Sequence, residues 1–453
     1  MASAAEQMAA NLSWGALGKA TDLRQRILFT VLVLIVYRLG TFIPVPGIDG
    51  TALKNFMDGQ GQGLGGMLSL FTGGALKRMG IFALGVMPYI SSSIIIQLLA
   101  SMIPALEQLK KEGDQGRKKI NQYTRYATVG LAALQGWGIA ASIAAGGLAH
   151  DPGLAFKLSC VITLVGGTMF LMWLGEQITA RGIGNGVSLI IFTGIVAEIP
   201  GALAQFLSQG RSGIFPWWVV VGAMVLVVAV IGFVVFMERA LRKIHIQYPR
   251  RQVGMKIYDG GSSHLPIKVN PAGVIPAIFA SSLLLLPTTL ATFSGNQTNA
   301  FMSTLLAFMG PGQPLYLVFQ GALIVFFAYF YTANVAFKTD EVADNLKNQN
   351  GFIPGIRPGK KTQDYLDYVV NRVLVVGSAY LAAVCFLPEI LRYQFSIPFY
   401  FGGTSVLIVV SVTMDTINQI QSHMLAHQYE GLIERSQLRG RKRSTTPKAP
   451  ARR

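Results

Sequence analysis

The sequence predicts an all-α polytopic membrane protein with ten transmembrane helices, and three observations predict it. Of 453 residues, 51% are hydrophobic and only 13% are charged, about half the charged share of a soluble globular protein. The apolar residues gather into long uncharged blocks such as 81–103, 214–237 and 315–337, each of 23 or 24 residues, and about 20 apolar residues at 1.5 Å rise cross a bilayer core. The Lys and Arg residues, finally, alternate from one side of the chain's crossings to the other.

The candidate spans are 27–43, 81–103, 126–148, 158–175, 186–207, 214–237, 271–292, 315–337, 373–391 and 397–420. The third is dominated by Ala and Gly, which suits close helix packing better than lipid contact. Lys and Arg number 3 in the N-terminus, 6 in 104–125, 1 in 176–185, 7 in 238–270, 6 in 338–372 and 8 in the tail. The opposite side has Lys54, Lys157, Arg211 and Arg392, and Arg38, Lys77 and Arg78 lie within or beside spans, which accounts for all 38. Positive residues favour the cytoplasmic side, so both termini are expected there, and most of the net charge of +17 is a cytoplasmic property. No cleavable signal peptide is expected, because residues 1–22 are polar and Ala-rich.

The chain divides into a cytoplasmic N-terminus (1–26), two sets of five spans (27–213 and 214–430) and a basic tail (431–453). Five is odd, so the two sets enter from opposite sides and are expected to be related by inverted pseudo-symmetry. Two cysteines exclude a disulfide scaffold or a four-thiolate metal site. Cys160 and Cys385 fall in apolar blocks, where a thiol acts as a small hydrophobe.

Several segments break the pattern of spans. Residues 59–74 read GQGQGLGGMLSLFTGG; the apolar part is too short to span, and it fits either a short re-entrant helix lining a cavity or an ordinary outer loop. In the 238–270 loop, alternation in 244–248 and again in 253–258 predicts a β-hairpin with a basic tip at Pro249-Arg250-Arg251-Gln252. In 338–372, Gly351-Phe352-Ile353-Pro354-Gly355-Ile356-Arg357-Pro358-Gly359 rigidifies a turn and displays one guanidinium, suited to bidentate recognition of phosphate or carboxylate. The basic excess suits RNA, an acidic partner or anionic phospholipid. Gly182-Ile183-Gly184-Asn185-Gly186 lacks a surrounding βαβ unit and is read as a tight interhelical turn. His245 and His264 are lone loop histidines without ligand-spaced companions, so no metal is expected. Glu198 and Asp415 fall inside spans, where an ionisable group is a functional candidate, as a relay or a paired interface group. No nucleophile–base or metal constellation suggests an enzyme, and no cofactor is expected.

Met87-Pro88-Tyr89-Ile90-Ser91, Lys111-Glu112-Gly113, Gln122-Tyr123-Thr124-Arg125-Tyr126, Leu174-Gly175-Glu176-Gln177-Ile178-Thr179 and residues 181–186 resemble the SecY family, channel subunits of the bacterial protein-export translocon. Leu265-Pro266-Ile267-Lys268-Val269-Asn270, 273–282, 352–359, 398–404 and 407–410 resemble it as well. The similarity is collinear from about residue 23 to residue 430.

The resemblance implies a clamshell of two five-helix halves around an hourglass pore, in the bacterial inner membrane. It implies a plug including Gly63, Leu64, Met67, Leu68, Leu70, Phe71, Gly73 and Gly74, and a constriction ring of Val86, Ile90, Val187, Ile191, Ile278 and Ile408. Two of the family's usual isoleucines are Val here, at Val86 and Val187. Spacing adds that Val86/Ile90 and Val187/Ile191 are i,i+4 pairs, each on one helix face; without the resemblance, all six read equally well as lipid-facing or packed aliphatics. It also implies a lateral gate at Met87, Ser91, Gln135, Ile275, Ser281, Ser282 and Leu286, where signal sequences bind, and motor or ribosome docking at Arg250, Arg251 and Arg357. The implied partners are SecE and SecG, the SecA ATPase, the ribosome, SecD/SecF and YidC, together with secretory and membrane polypeptides. A secondary transporter with inverted repeats remains the alternative, on Asp415 and the Pro-broken span at Pro276.

The span map has a direct test. Reporter fusions at Asp151, Ser212 and Asn299 should read outside, and those at Asp114, Arg251 and Gly355 cytoplasmic; a cytoplasmic signal at Asn299 breaks the ten-span topology.

Overall fold

In hydrocarbon every backbone N–H and C=O must find its partner within the segment, so long apolar runs become helices. The computed structural model describes residues 21–49, 72–213, 216–249, 251–253, 256–258, 261–293, 313–395 and 403–443. Its helices are α1 (Thr21–Gly40), α2 (Met87–Met102), α3 (Pro104–Lys111), α4 (Asp114–Ala145), α5 (Leu154–Arg181), α6 (Gly186–Arg211) and α7 (Trp217–Arg239). A four-strand segment follows, with β1 (Leu241–Gln247), β2 (Arg251–Val253), β3 (Lys256–Tyr258) and β4 (Ser262–Lys268). Then come α8 (Ile275–Phe293), α9 (Pro314–Tyr331) continued by a π turn at Thr332–Ala336, α10 (Thr339–Asn348), α11 (Lys360–Phe395) and α12 (Gly403–Arg443).

Each candidate span overlaps one of these helices, though not over its full length. Among the described residues α4, α5, α6, α7, α9 and α11 are long and apolar enough to cross a membrane. Helix α2 with α3 makes a broken seventh, bent by 104°. The bend falls at Ile103, which is extended at φ −99°, ψ 115°, as Pro104 requires of the residue before it. The apolar stretch is interrupted by Arg24, Arg26 and Arg38 in α1, and by Asp415, Asn418 and Gln419 in α12. Residues 81–86, expected to open the second span, are turns instead; helix begins at Met87, with Pro88 in its first turn.

Packing follows residue size. Helix α4 lies against α5 and buries Ala132, Gly136, Gly138 and Ala140, the small-residue contact expected of that span. The turn between α5 and α6 is closed by side chains. Asn185 Oδ1 accepts from the amides of Val187 (3.1 Å) and Ser188 (3.3 Å), capping α6, and Thr179 Oγ1 accepts from Gly186 N at 2.9 Å. That is the tight interhelical turn read from the sequence. A Cβ at Gly186 would collide with the backbone carbonyl of Gly175, so the two helices approach as closely as they do only because both residues lack side chains.

The polar segment departs from the expected hairpin. Strand β1 pairs antiparallel with β4, Leu241 opposite Lys268 through Gln247 opposite Ser262, and β2 pairs with β3. Tyr248 N donates to Gly261 O (3.1 Å) and Val269 N to Ala240 O (3.0 Å). Those two bonds bracket the ladder and make its odd-numbered β1 positions the non-hydrogen-bonded ones. Pro266, opposite Lys243, therefore gives up no ladder bond. This pairing wins because it sets Ile244 and Ile267 into one buried cluster with Ile353, Leu366, Val369 and Val370. Arg251 consequently opens β2 and is not at the tip of a hairpin made by 244–248 and 253–258. His245 and His264, read as isolated, stand opposite each other with ring centroids 5.1 Å apart; non-hydrogen-bonded pairs bring side chains closest.

Gly186→Ala should lower the thermal midpoint of the detergent-solubilised protein and its steady-state level, because the added methyl meets rigid backbone. Gly130→Ala, where a Cβ has open space, should do neither, and equal midpoints for the two variants would contradict the close packing of α5 on α6.

Candidate functional site

The first and second sets of helices meet at an apolar waist. Val86 caps α2 and Ile90 lies one turn in; Val187 and Ile191 occupy the first turns of α6; Ile278 is in the first turn of α8 and Ile408 near the start of α12. Val86, Ile90, Ile191, Ile278 and Ile408 belong to a single buried cluster, Ile408 with no exposure at all, and the half-buried Val187 packs against it. All six residues assigned to the ring thus lie in or against one large apolar core, which also holds Tyr37, Leu171, Phe327 and Leu381. Val187, close to the end of its block in the sequence, sits at the start of α6, where Asn185 fixes the helix end.

On the side that carries the β-sheet lies a cavity of about 560 Å³ lined in part by polar groups, among them Asn185, Ser188, Glu238, Lys268, Asp415 and Gln419. Asn270 Nδ2 donates to Glu238 Oε1 and to Gly273 O, both at 3.0 Å, tying the end of α7 to the entry of α8. Gln419 Oε1 accepts from Gly184 N at 2.7 Å, which joins α12 to the α5–α6 turn. An aspartate at mid-membrane on a lipid-exposed helix costs about 2.5–3.5 kcal/mol. Asp415 is instead 64% exposed to this cavity, with Lys268 Nζ 3.9 Å from its Oδ1. It is a cavity-facing carboxylate and not a buried midplane site, which removes the main support for a transporter. The sequence reading did not single out Asn185, Ser188, Glu238, Asn270 and Gln419 as cavity residues; the signal was there in amides and hydroxyls placed at or just beyond the ends of apolar blocks.

The seam beside the waist runs where α8 packs against α2 and α4. Met87 and Ser91 on α2, Gln135 on α4, and Ser281 and Ser282 on α8 are all buried, and Ile275 is half-buried. Leu286 lies on α8 but its side chain is outside the described residues. The expected polar contacts across the seam take a different form. Ser281 Oγ donates to its own helix, at Ala277 O (2.9 Å), and Ser282 Oγ is buried without a partner.

Of the segment read as a plug, Gly63, Leu64, Met67, Leu68, Leu70 and Phe71 lie outside the described residues. Gly73 and Gly74 are described; Arg38 Nη1 donates to Gly73 O at 2.6 Å, and the Glu198 carboxylate lies against Gly74. Glu198 and Arg38, both within spans, thus meet at one chain turn. Arg250 is outside the described residues. Arg357 is exposed on a loop fixed at both ends. Gln247 and Phe352 exchange two backbone bonds of 2.9 Å, Ile353 enters the cluster under β1 and β4, and Thr362 Oγ1 donates to Arg357 O at 3.0 Å. Gly355 (φ +83°) and Gly359 (φ +101°) take left-handed conformations around it, which residues with a Cβ adopt only under strain.

A helical membrane protein with an apolar waist below a polar cavity has the architecture of a channel. The comparisons with known proteins agree. The family model described as SecY matches residues 80–417. The protein translocase subunit SecY of Escherichia coli K12 is 50% identical over 428 residues, 93% of this chain and 96% of that one. Its Rickettsia bellii counterpart is 48% identical over 425 residues, 93% and 98% of the two chains. Among solved structures, one described as a protein conducting channel superposes with a TM-score of 0.64 at 19% identity, covering 88% of this chain and 92% of the other. Sec61 in a canine ribosome-channel complex gives 0.62 at 17%, with the same coverage. The chain belongs to the SecY family, which is a family of translocase channel subunits and not of enzymes.

Proposed function

We propose that the chain is the protein-conducting subunit of an export channel. It passes unfolded secretory polypeptides through the waist and releases transmembrane segments sideways into lipid between α2 and α8. One observation supports this reading: the branched aliphatic residues assigned to the ring, from α2, α6, α8 and α12, all belong to or pack against one buried apolar core. A wall of Val and Ile resists water and ions by dewetting, yet forms no fixed bond to a moving peptide. A channel for polypeptides of any sequence needs such a lining. Ser281 bonds to its own helix and Ser282 has no partner, so these two hydroxyls do not oppose the seam's opening; interhelical hydrogen bonds average only about 0.6 kcal/mol in any case. The two sets of five spans are read as inverted halves, with both termini in the cytoplasm of a bacterium and the sheet face cytoplasmic, on the Lys and Arg distribution.

A passive pore has no energy source, so a motor ATPase or a translating ribosome must dock where the basic loops project. The Arg357 loop is anchored at both ends, and solved relatives described as ribosome-bound, the canine Sec61 complex and an idle yeast Ssh1 complex, support a docking face of this kind. SecE, SecG and SecA are the family partners this reading expects.

Two experiments test it. Ile408→Asn and Ile278→Asn should each raise ion leak in vesicles and relax the demand for a hydrophobic signal sequence; unchanged conductance with both together would remove these residues from the pore. Separately, Arg357→Lys keeps charge but loses the bidentate fork and should slow precursor transport, and Arg357→Glu should nearly abolish it, while Lys448→Glu in the tail has little effect. If Arg357→Glu inserts normally and transports at the wild-type rate, the docking role is wrong.

A further inference from the structure

We propose that Lys110 is a positioning residue that clasps the seam shut at its sheet-side end, by capping the carboxyl end of a helix that belongs to the other half. This inference rests on the proposed lateral opening between α2 and α8.

The geometry comes from two chain breaks that face each other. After α2 the chain turns by 104° at Ile103 and runs on as α3, so Lys110 is carried sideways off the end of a gate helix. Opposite it, α9, which packs on α8, ends in the π turn at Thr332–Ala336. Carbonyls in the last turn of a helix lack intrahelical donors and carry the negative end of the helix dipole. Phe337 N reaches back to Thr332 O at 3.1 Å. Asn334 O accepts from Lys110 Nζ at 3.2 Å, 224 residues away in sequence. The contact therefore joins the first set of helices to the second.

Two details make the pairing specific. The Asn334 side chain donates to Phe330 O of its own helix at 2.9 Å, so the acceptor offered to Lys110 is backbone and survives side-chain change. Lys338, a cation just beyond the π turn, is bonded to Glu341 at the start of α10, which holds it to its own element. Deeper in the seam Ser281 bonds to its own helix and Ser282 has no partner. The end of the seam is thus where a directional, charged contact between the halves is found. Separating α2 from α8 carries α3 away from the π turn and breaks it. A cation at a helix end shifts an equilibrium by about two- to five-fold, enough to bias a gate without locking it.

The test uses the channel assembled with its own membrane partners in lipid vesicles, reading resting ion leak and the signal hydrophobicity needed for insertion. Lys110→Ala should raise leak and relax the hydrophobicity requirement by about two- to five-fold. Lys110→Arg should behave as wild type, and Lys118→Ala, an exposed lysine on α4, should change nothing. In the double variant Lys110→Cys, Asn334→Cys, a short bismaleimide should crosslink the resting channel and stop insertion of transmembrane segments. Wild-type leak and signal requirement in Lys110→Ala would overturn the clasp, as would a crosslinked channel that still inserts at the normal rate. Failure of the uncrosslinked wild-type channel to move any precursor would instead refute the proposed function, while leak still reports on the clasp.

Discussion

The proposed function depends on an interface that must seal without bonding. Ile90, Ile191, Ile278 and Ile408, from α2, α6, α8 and α12, are all buried in one apolar core, and aliphatic groups of this kind are held together only by dispersion and the exclusion of water. A hydrogen-bonded waist would close as well, but it would offer a passing chain strong preferences and would leave partnerless polar groups each time it opened, at about 1–3 kcal/mol each. Aliphatic side chains make separation a matter of area alone.

Many of the hydrogen-bonded polar groups lie instead near the helix ends, while Ser91, Gln135, Ser281 and Ser282 stay buried along the seam. On the sheet side the cavity collects Glu238, Lys268, Asn270 and Asp415, and the bonds there are of the kind that set helix ends: Asn270 to Glu238, Gln419 to Gly184, Asn185 to the first amides of α6. On the opposite side Arg38 and Glu198 meet at Gly73 and Gly74. The helix ends are therefore fixed by hydrogen bonds while the middle is left free to part. The same arrangement stiffens the sheet, since β1 is locked to the Arg357 loop through Gln247 and Phe352. The Arg357 loop is thereby coupled to β4, and through Lys268 and Asn270 to the entry of α8.

How much of this could be read in the chain follows from how many solutions each segment had. Apolar blocks in hydrocarbon favour helix, so the presence of the helices was legible while their ends were not, since α4 and α11 begin and α12 ends well outside the apolar blocks; the Ala and Gly of α4 announced its close packing on α5. The waist was not legible from composition, because an Ile that lines a pore and an Ile that faces lipid are the same letter; spacing paired Val86 with Ile90 and Val187 with Ile191, and only resemblance joined the pairs to Ile278 and Ile408. The 238–270 loop had several alternating runs and hence several pairings of similar local quality. Its choice of β1 with β4 was made by Ile353 and Leu366, more than 80 residues downstream, which no local pattern could supply. His245 and His264 became neighbours by that same long-range decision.

Lys110 marks the same boundary of legibility. In sequence it is one lysine of a basic run, and a charge run is ordinarily a solvated face. What distinguishes it is the π turn after α9, which aims a backbone carbonyl across the seam, and the break at Pro104, which brings an ammonium to meet it. Neither feature has meaning without the other. Because the acceptor is a carbonyl, the bond constrains residue identity on only one side: the helix end needs the right backbone geometry and the other half needs a long cationic side chain. A gate built from such asymmetric contacts can be retuned by single substitutions at its rim without touching the aliphatic waist, so the tightness of the resting state and the neutrality of the lining toward its substrates are set by different residues.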